Sequence, residues 1–314
     1  MARLDSILDL IGNTPLVGVH ALSPNPEVRI WAKLEGQNPG GSSKDRIART
    51  MVELAERDGL LRPGSGQIIL EPSSGNTGIG LALVAKMRGY RLRVVLPENV
   101  SIERRQLLDI FGAEVVLSPG EEGSNGAIRR AEKLAADDAD LVMLFQYGNP
   151  ANPLAHYTTT GPEILADCPE IDVFCAGLGT SGTLMGVGRY LREHKPDVKI
   201  LAVEPPVGEL VQGLRNLDDG FVPPIFDPSL LNRKTIVRPR ESIEWTRRLL
   251  TDCGVFAGIS SGAAVAGAVK FAETMDAGSI VVLLPDGGWK YLSSGAWTDD
   301  IDIVEERAQR INYW

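Results

Sequence analysis

Histidine is scarce in this chain, with three residues among 314: His20, His156 and His194. Cysteine is equally scarce, and Cys168, Cys175 and Cys253 show no C-x-x-C spacing. Imidazoles and thiols this few and this scattered give poor support to a histidine metal site or a zinc cage, so no metal is expected. They suit a reducing compartment without a disulfide framework. No apolar run reaches the roughly 18 residues that a membrane span needs, and the opening MARLDSILDLIGNTPLV has no signal-peptide core. The expectation is a cytoplasmic protein with no membrane partner. Positive charge is also in deficit: 32 Lys and Arg against 41 Asp and Glu give a formal net charge of −9. Neither nucleic acid nor an anionic membrane would attract that balance. The basic pairs Arg104-Arg105, Arg129-Arg130 and Arg247-Arg248 sit among acids and read as solvated helix faces.

What is present is an ordinary globular mix, 43% apolar and 23% charged, in a length that suits two domains. Apolar, β-branched runs recur at 29–35, 67–72, 91–97, 114–119, 141–147, 171–177, 198–204 and 279–285. Stretches of helical period lie between many of them: 44–59, 77–90, 101–113, 127–138, 183–194 and 262–275. This alternation predicts an α/β fold of parallel and mixed sheets covered by helices, in two lobes with a cleft between them. Ligands in such folds bind beyond the carboxyl ends of strands. The proline-rich stretch 218–234 reads as a long functional loop.

Three glycine-rich corners stand out, the first two of them after strands. Glu71-Pro72-Ser73-Ser74-Gly75-Asn76-Thr77-Gly78 opens a helix, where free N–H groups and the helix dipole favour an anion; an ordinary N-cap with turn glycines is the alternative. Gly177-Leu178-Gly179-Thr180-Ser181-Gly182-Thr183 matches G-x-G-x-x-G, with Glu204 ending the next strand as a ribose-binding acid would. That is the case for a nicotinamide-dinucleotide oxidoreductase. The three hydroxyls of the loop tilt it instead toward a phosphate monoester, whose higher charge can use extra donors. Gly258-Ile259-Ser260-Ser261-Gly262 has the form of a nucleophile elbow, but every histidine precedes Ser260, which excludes the usual triad order.

Lys44 sits in Asn38-Pro39-Gly40-Gly41-Ser42-Ser43-Lys44-Asp45-Arg46. A P-loop would need lysine directly after Gly41, where Ser42 stands. Two readings remain. Lys44 is a solvated lysine paired with Asp45, or an amine whose pKa is lowered by the helix N-terminus and burial for imine chemistry. A lysine together with a monoester loop suggests pyridoxal 5′-phosphate.

Six motifs in order, IGNTPLV (11–17), NPGGSSKDR (38–46), EPSSGNTG (71–78), GLGTSGT (177–183), GISSGAA (258–264) and PDGGWKYLSSG (285–295), resemble the cysteine synthase family. That family belongs to the fold type II pyridoxal-phosphate enzymes, which are tryptophan synthase β-like in fold. The resemblance implies a larger cofactor-binding domain of residues 1–41 and 149–314, a smaller mobile substrate-binding domain of residues 42–148, and a homodimer. It implies that Lys44 binds the cofactor as an imine and later moves the substrate α-proton. By the same resemblance Asn76 bonds the ring hydroxyl oxygen, Ser260 faces the pyridine nitrogen, and Gly179, Thr180, Ser181, Gly182 and Thr183 cradle the phosphate. Ser73, Ser74, Gly75, Thr77 and Gln146 would bind the substrate carboxylate. A serine rather than a carboxylate at the ring nitrogen favours loss of a β-leaving group over strong electron withdrawal into the ring. The implied reaction is β-replacement through α-aminoacrylate, giving L-cysteine.

The loop GLRNLDDGFVP (213–223) departs from the short, small loop of acetylserine-using members and resembles the actinobacterial O-phosphoserine sulfhydrylase branch. Arg215 can grip a phosphate bidentately, or it can pair with Asp218 or Asp219. The branch implies O-phospho-L-serine as substrate, with sulfide or the thiocarboxylate of a small sulfur-carrier protein as donor. An O-acetylserine sulfhydrylase and a cystathionine β-synthase are the alternatives on the same fold. The tail 297–314 reads either as a cover for the cleft or as a surface helix with an aromatic end.

Overall fold

A computed structural model describes residues 3–73 and 75–310 of the chain. In chain order the elements begin with β1 (Leu16–Gly18), β2 (Val28–Leu34), α1 (Lys44–Arg57), β3 (Ile68–Pro72) and α2 (Asn76–Arg88). They continue with β4 (Arg91–Pro97), α3 (Ile102–Ile110), β5 (Glu114–Ser118), α4 (Gly123–Asp137), β6 (Leu141–Met143), α5 (Ala151–Ala155) and α6 (Gly161–Asp167). The rest are β7 (Val173–Gly177), α7 (Gly182–His194), β8 (Lys199–Glu204), β9 (Arg233–Ile236), α8 (Pro239–Cys253), α9 (Ile259–Ala272), β10 (Gly278–Leu284) and α10 (Ile301–Arg310).

The strands form two sheets. One has six strands in the order β1-β2-β10-β7-β8-β9, and the other has four in the order β5-β4-β3-β6. Every pairing is parallel except β1 with β2. Central strands such as β3 and β10 are buried on both faces, because helices cover both sides of a parallel sheet. Separate apolar cores back the two sheets: Ile30, Val203, Val265 and Val282 beside the first, and Met51, Ile69, Leu83 and Val94 beside the second.

Register brings the chemistry-bearing loops to one end. Leu34 lies opposite Leu284, and Gly177 opposite Val203. The carboxyl ends of β2, β10, β7 and β8 therefore finish together. Ser42 bridges to Asp286, and Ser43 donates its N–H to Pro285 O at 2.8 Å, which fixes where α1 begins. Gly80 then lets α2 lie against that start, since a Cβ there would come within 3.0 Å of Lys44 O.

Three expectations need correction. The run 141–147 is a strand only to Met143. Phe145 turns left-handed with φ 56°, and the N–H groups of Phe145 and Gln146 leave the ladder for the carboxylate of Glu71, at 2.8 and 3.0 Å. The stretch 218–234 is not all loop: a 3-10 turn spans Pro228–Leu230 and edge strand β9 starts at Arg233. Arg104 is no solvated helix face, with only 2% of its surface exposed. The tail forms α10 with Val304 buried, while its last aromatic residues, and so the cleft-cover reading, lie outside the described residues. Among the described residues no helix is long and apolar enough to cross a membrane.

Candidate active site

Lys44 opens α1 and lines a cavity together with Ser73, Gly75, Asn76, Thr77, Gln146, Gly179, Thr180, Arg215 and Ser260. A second recess shares Lys44, Gly179 and Thr180 with it and adds Ser181, Gly182 and Thr183. Of the residues singled out from the sequence, the fold thus gathers all but Ser74 around one space; Ser74 lies outside the described residues.

Lys44 has no carboxylate within ion-pair distance among the described residues, so the pairing with Asp45 is not formed. Asp45 instead accepts the Gly40 N–H at 2.5 Å. Burial lowers the pKa of the Lys44 amine, opposed by the charges of Asp286 and Glu35. An amine held toward its neutral form is what carbonyl addition and proton transfer require.

Asn76 has a determined orientation. Its Nδ2 donates to Asp286 Oδ2 at 2.7 Å, and its Oδ1 accepts from Lys290 Nζ at 2.8 Å. Lysine can only donate and an ionised carboxylate only accept, so the amide cannot be reversed. One Nδ2 hydrogen is left for a ligand. Tyr291 donates to the same Asp286 oxygen at 2.6 Å and accepts from Arg104 Nη2 at 3.3 Å. Asp286, Lys290, Tyr291 and Arg104 were not assigned to the site from sequence. The first three lie in PDGGWKYLSSG, whose spacing marked a motif without assigning roles, and Arg104 was hidden by its charged neighbours. Burial lowers the Lys290 pKa to about 8.

The loop before α7 is an anion cradle in the making. Ser181 is left-handed with φ 69°, and its buried Oγ has no partner among the described residues. Asn152 Nδ2 donates to Thr180 Oγ1 at 3.0 Å, which leaves the Thr180 hydrogen available. Hydroxyls with hydrogens to spare, at the start of a helix, fit a phosphate monoester. Glu204, the acid a dinucleotide site would need, is instead paired with Lys234 at 2.8 Å. At the far side Ser260 is 3% exposed, and a Cβ on Gly213 would lie 3.4 Å from its Oγ. Lys44, Asn76, Ser260 and the hydroxyls of 179–183 form a donor set that fits a heterocycle carrying a phosphate. Ser73 Oγ accepts the N–H groups of Gly75 and Gly78 at 3.3 and 3.2 Å, and Thr77 donates to Gln146 Oε1 at 2.6 Å.

Arg215 is 9% exposed and lies over the rings of Tyr147 and Phe221, 5.4 and 4.9 Å from their centroids. Among the described residues its hydrogen bond is long, 3.4 Å from Nη1 to Phe221 O. It makes no ion pair among the described residues; Asp219 accepts the Gly208 N–H instead.

Comparison with known proteins identifies the family. Residues 7–286 match the family described as pyridoxal-phosphate dependent enzyme. A cysteine synthase of Staphylococcus aureus (strain Mu50 / ATCC 700699) is 41% identical over 307 residues, covering 95% of this chain and 98% of that protein. The structure of an O-ureido-L-serine synthase superposes with a TM-score of 0.89 at 40% identity, covering 94% of this chain and 96% of the other. A cysteine synthase from Entamoeba histolytica gives a TM-score of 0.88 at 34% identity, covering 97% and 95%. By this family match and these relatives, the chain belongs to the pyridoxal-phosphate dependent enzymes, as a member of the cysteine synthase type that uses pyridoxal 5′-phosphate.

Proposed function

We propose that this enzyme makes L-cysteine by β-replacement on O-phospho-L-serine, with a sulfur nucleophile such as sulfide displacing phosphate. The observation that carries the substrate choice is Arg215: a buried guanidinium at the cofactor cavity with no carboxylate partner among the described residues. An unpaired buried cation is costly, and a dianionic leaving group would compensate it through paired charge-assisted bonds.

When bound, pyridoxal phosphate supplies an electron-withdrawing ring that acidifies the substrate Cα–H. Lys44 would hold the cofactor aldehyde and, with substrate in place, would take the α-proton and return a proton to Cα at the end. Its lowered pKa suits both transfers. Gly179, Thr180, Ser181, Gly182 and Thr183 would hold the phosphate, and Asn76 would donate its spare Nδ2 hydrogen to the ring oxygen. Ser260 offers the ring nitrogen a hydroxyl. Ser73, Ser74, Gly75, Thr77 and Gln146 take the substrate carboxylate, while Arg215 orients the leaving phosphate. Residues 42–148 act as the smaller, moving domain. Glu103 Oε2 accepting from Ser293 Oγ at 2.8 Å, and Arg104 against Tyr291, join the two units beside the cavity.

Purified enzyme given O-phospho-L-serine and sulfide should release one phosphate for each L-cysteine formed. Phosphate release without cysteine, or no turnover of this substrate, contradicts the proposal.

A further inference from the structure

His156 is fully buried and takes no part in the reaction above. It begins a π-helical turn, His156–Thr160, between α5 and α6, in which the Gly161 N–H bonds to His156 O. The sequence explains the turn. Thr158 and Thr159 donate their hydroxyls to Leu154 O and Ala155 O at 2.9 and 2.6 Å, and three successive β-branched residues crowd an ordinary helix. Single π turns of this kind are frequent at functional sites. The turn lies tight against α7, where a Cβ on Gly186 would come within 2.7 Å of His156 Cβ. As a result the imidazole joins two hydroxyls: Nδ1 lies 2.9 Å from Thr160 Oγ1, and Nε2 lies 3.2 Å from Thr183 Oγ1. Thr183 lines the recess of the phosphate loop.

We propose that His156 is a positioning residue for that loop, donating Nε2–H to Thr183 Oγ1 so that the Thr183 hydroxyl hydrogen is free for the cofactor phosphate. This rests on the assignment of residues 179–183 to the phosphate. A neutral imidazole donates from one nitrogen and accepts at the other. If Thr183 donated to Nε2, its oxygen would turn lone pairs toward an anion. Phosphate binding therefore selects the opposite direction, in which Thr160 donates to Nδ1, Nε2–H donates to Thr183, and Thr183 donates to the anion. Burial, with the nearby cations Lys44 and Arg46, pushes the His156 pKa well below its ordinary value, so the ring stays neutral and directional.

The test uses the holoenzyme. Ring 15N NMR of His156, assigned by its loss in His156→Gln, should show the Nε2–H tautomer; the Nδ1–H tautomer would overturn the proposal. His156→Phe should weaken cofactor binding about tenfold, the effect of one lost hydrogen bond, and shift the 31P resonance of the bound cofactor. His156→Gln can still donate an amide hydrogen and should stay within about threefold. The losses in His156→Phe and Thr183→Val should not add in the double variant. Additive losses with an unmoved 31P resonance would make His156 a packing residue and sink the idea. Unchanged cofactor affinity in Thr183→Val would refute the loop assignment itself and the proposal with it.

Discussion

Replacing Arg215 by methionine separates recognition from stability. The guanidinium has five N–H donors, and the structure occupies one of them with a long bond to Phe221 O. Two parallel bonds to a phosphate, each charge-assisted, would contribute about 3–4 kcal/mol after allowance for what they share. Their loss corresponds to a drop of roughly 10²–10³ in kcat/KM for O-phospho-L-serine. O-acetyl-L-serine carries no charge on its leaving group and should change by less than about threefold. Stability should move the other way from a structural arginine. Methionine keeps most of the apolar contact with Tyr147 and Phe221 and removes a buried charge that has no carboxylate partner among the described residues. Lost cation–π attraction of about 0.5–2 kcal/mol offsets that gain, so the unfolding free energy should shift by no more than about 1 kcal/mol. Steady-state kinetics on both substrates and urea unfolding of the same samples supply the numbers. Equal losses on the two substrates, or a variant destabilised by several kcal/mol, would refute the reasoning.

Other sites give sharper local tests. Lys44→Ala should abolish the visible absorption band of the purified protein while leaving its far-UV circular dichroism unchanged; a retained band would remove Lys44 from its role. Asp45 has its pKa raised to about 6 by burial, from the ordinary 3.8. A carboxyl raised in the folded state contributes stability below pH 3.8 that is lost as pH rises through 6. Asp45→Asn should therefore gain on wild type progressively between those values, by up to about 3 kcal/mol, and stay level above them; urea unfolding from pH 4 to 8 would show a constant difference if the reasoning is wrong. Gln146→Ala leaves the Thr77 hydroxyl without its partner at 2.6 Å. It should raise KM for the amino-acid substrate about tenfold with little loss of kcat, and an unchanged KM would take Gln146 out of carboxylate binding.

Much of the fold was legible because βα alternation leaves strong periodic marks. The strands 29–35, 91–97 and 198–204 lie almost where their apolar runs fall. What escaped has physical causes. Strand β1 is three residues at a sheet edge, too short for a period to register. Helices α5 and α6 are short and separated by a threonine run that favours a π turn, and Pro150 and Pro153 at the start of α5 read as loop residues. Helix α8 carried its signals, Pro239 at the start and a left-handed Gly254 at the stop, but its charged residues masked the buried stripe of Ile243, Thr246 and Leu249. Within the site, glycine and hydroxyl corners announce themselves by local composition. Asp286, Lys290 and Arg104 act by long-range contact, joining residues up to 214 positions apart, and no local pattern encodes that. His156 carries no local sequence signal, and only the placement of α7 puts it behind Thr183.

The central claim is the choice of leaving group, and internal competition tests it most directly. Wild-type enzyme given equimolar O-phospho-L-serine and O-acetyl-L-serine with limiting sulfide should partition its turnover by the two kcat/KM values. With one paired set of charge-assisted bonds on the phosphate side, the account predicts at least about tenfold more phosphate than acetate released. Acetate released in equal or greater amount would contradict it.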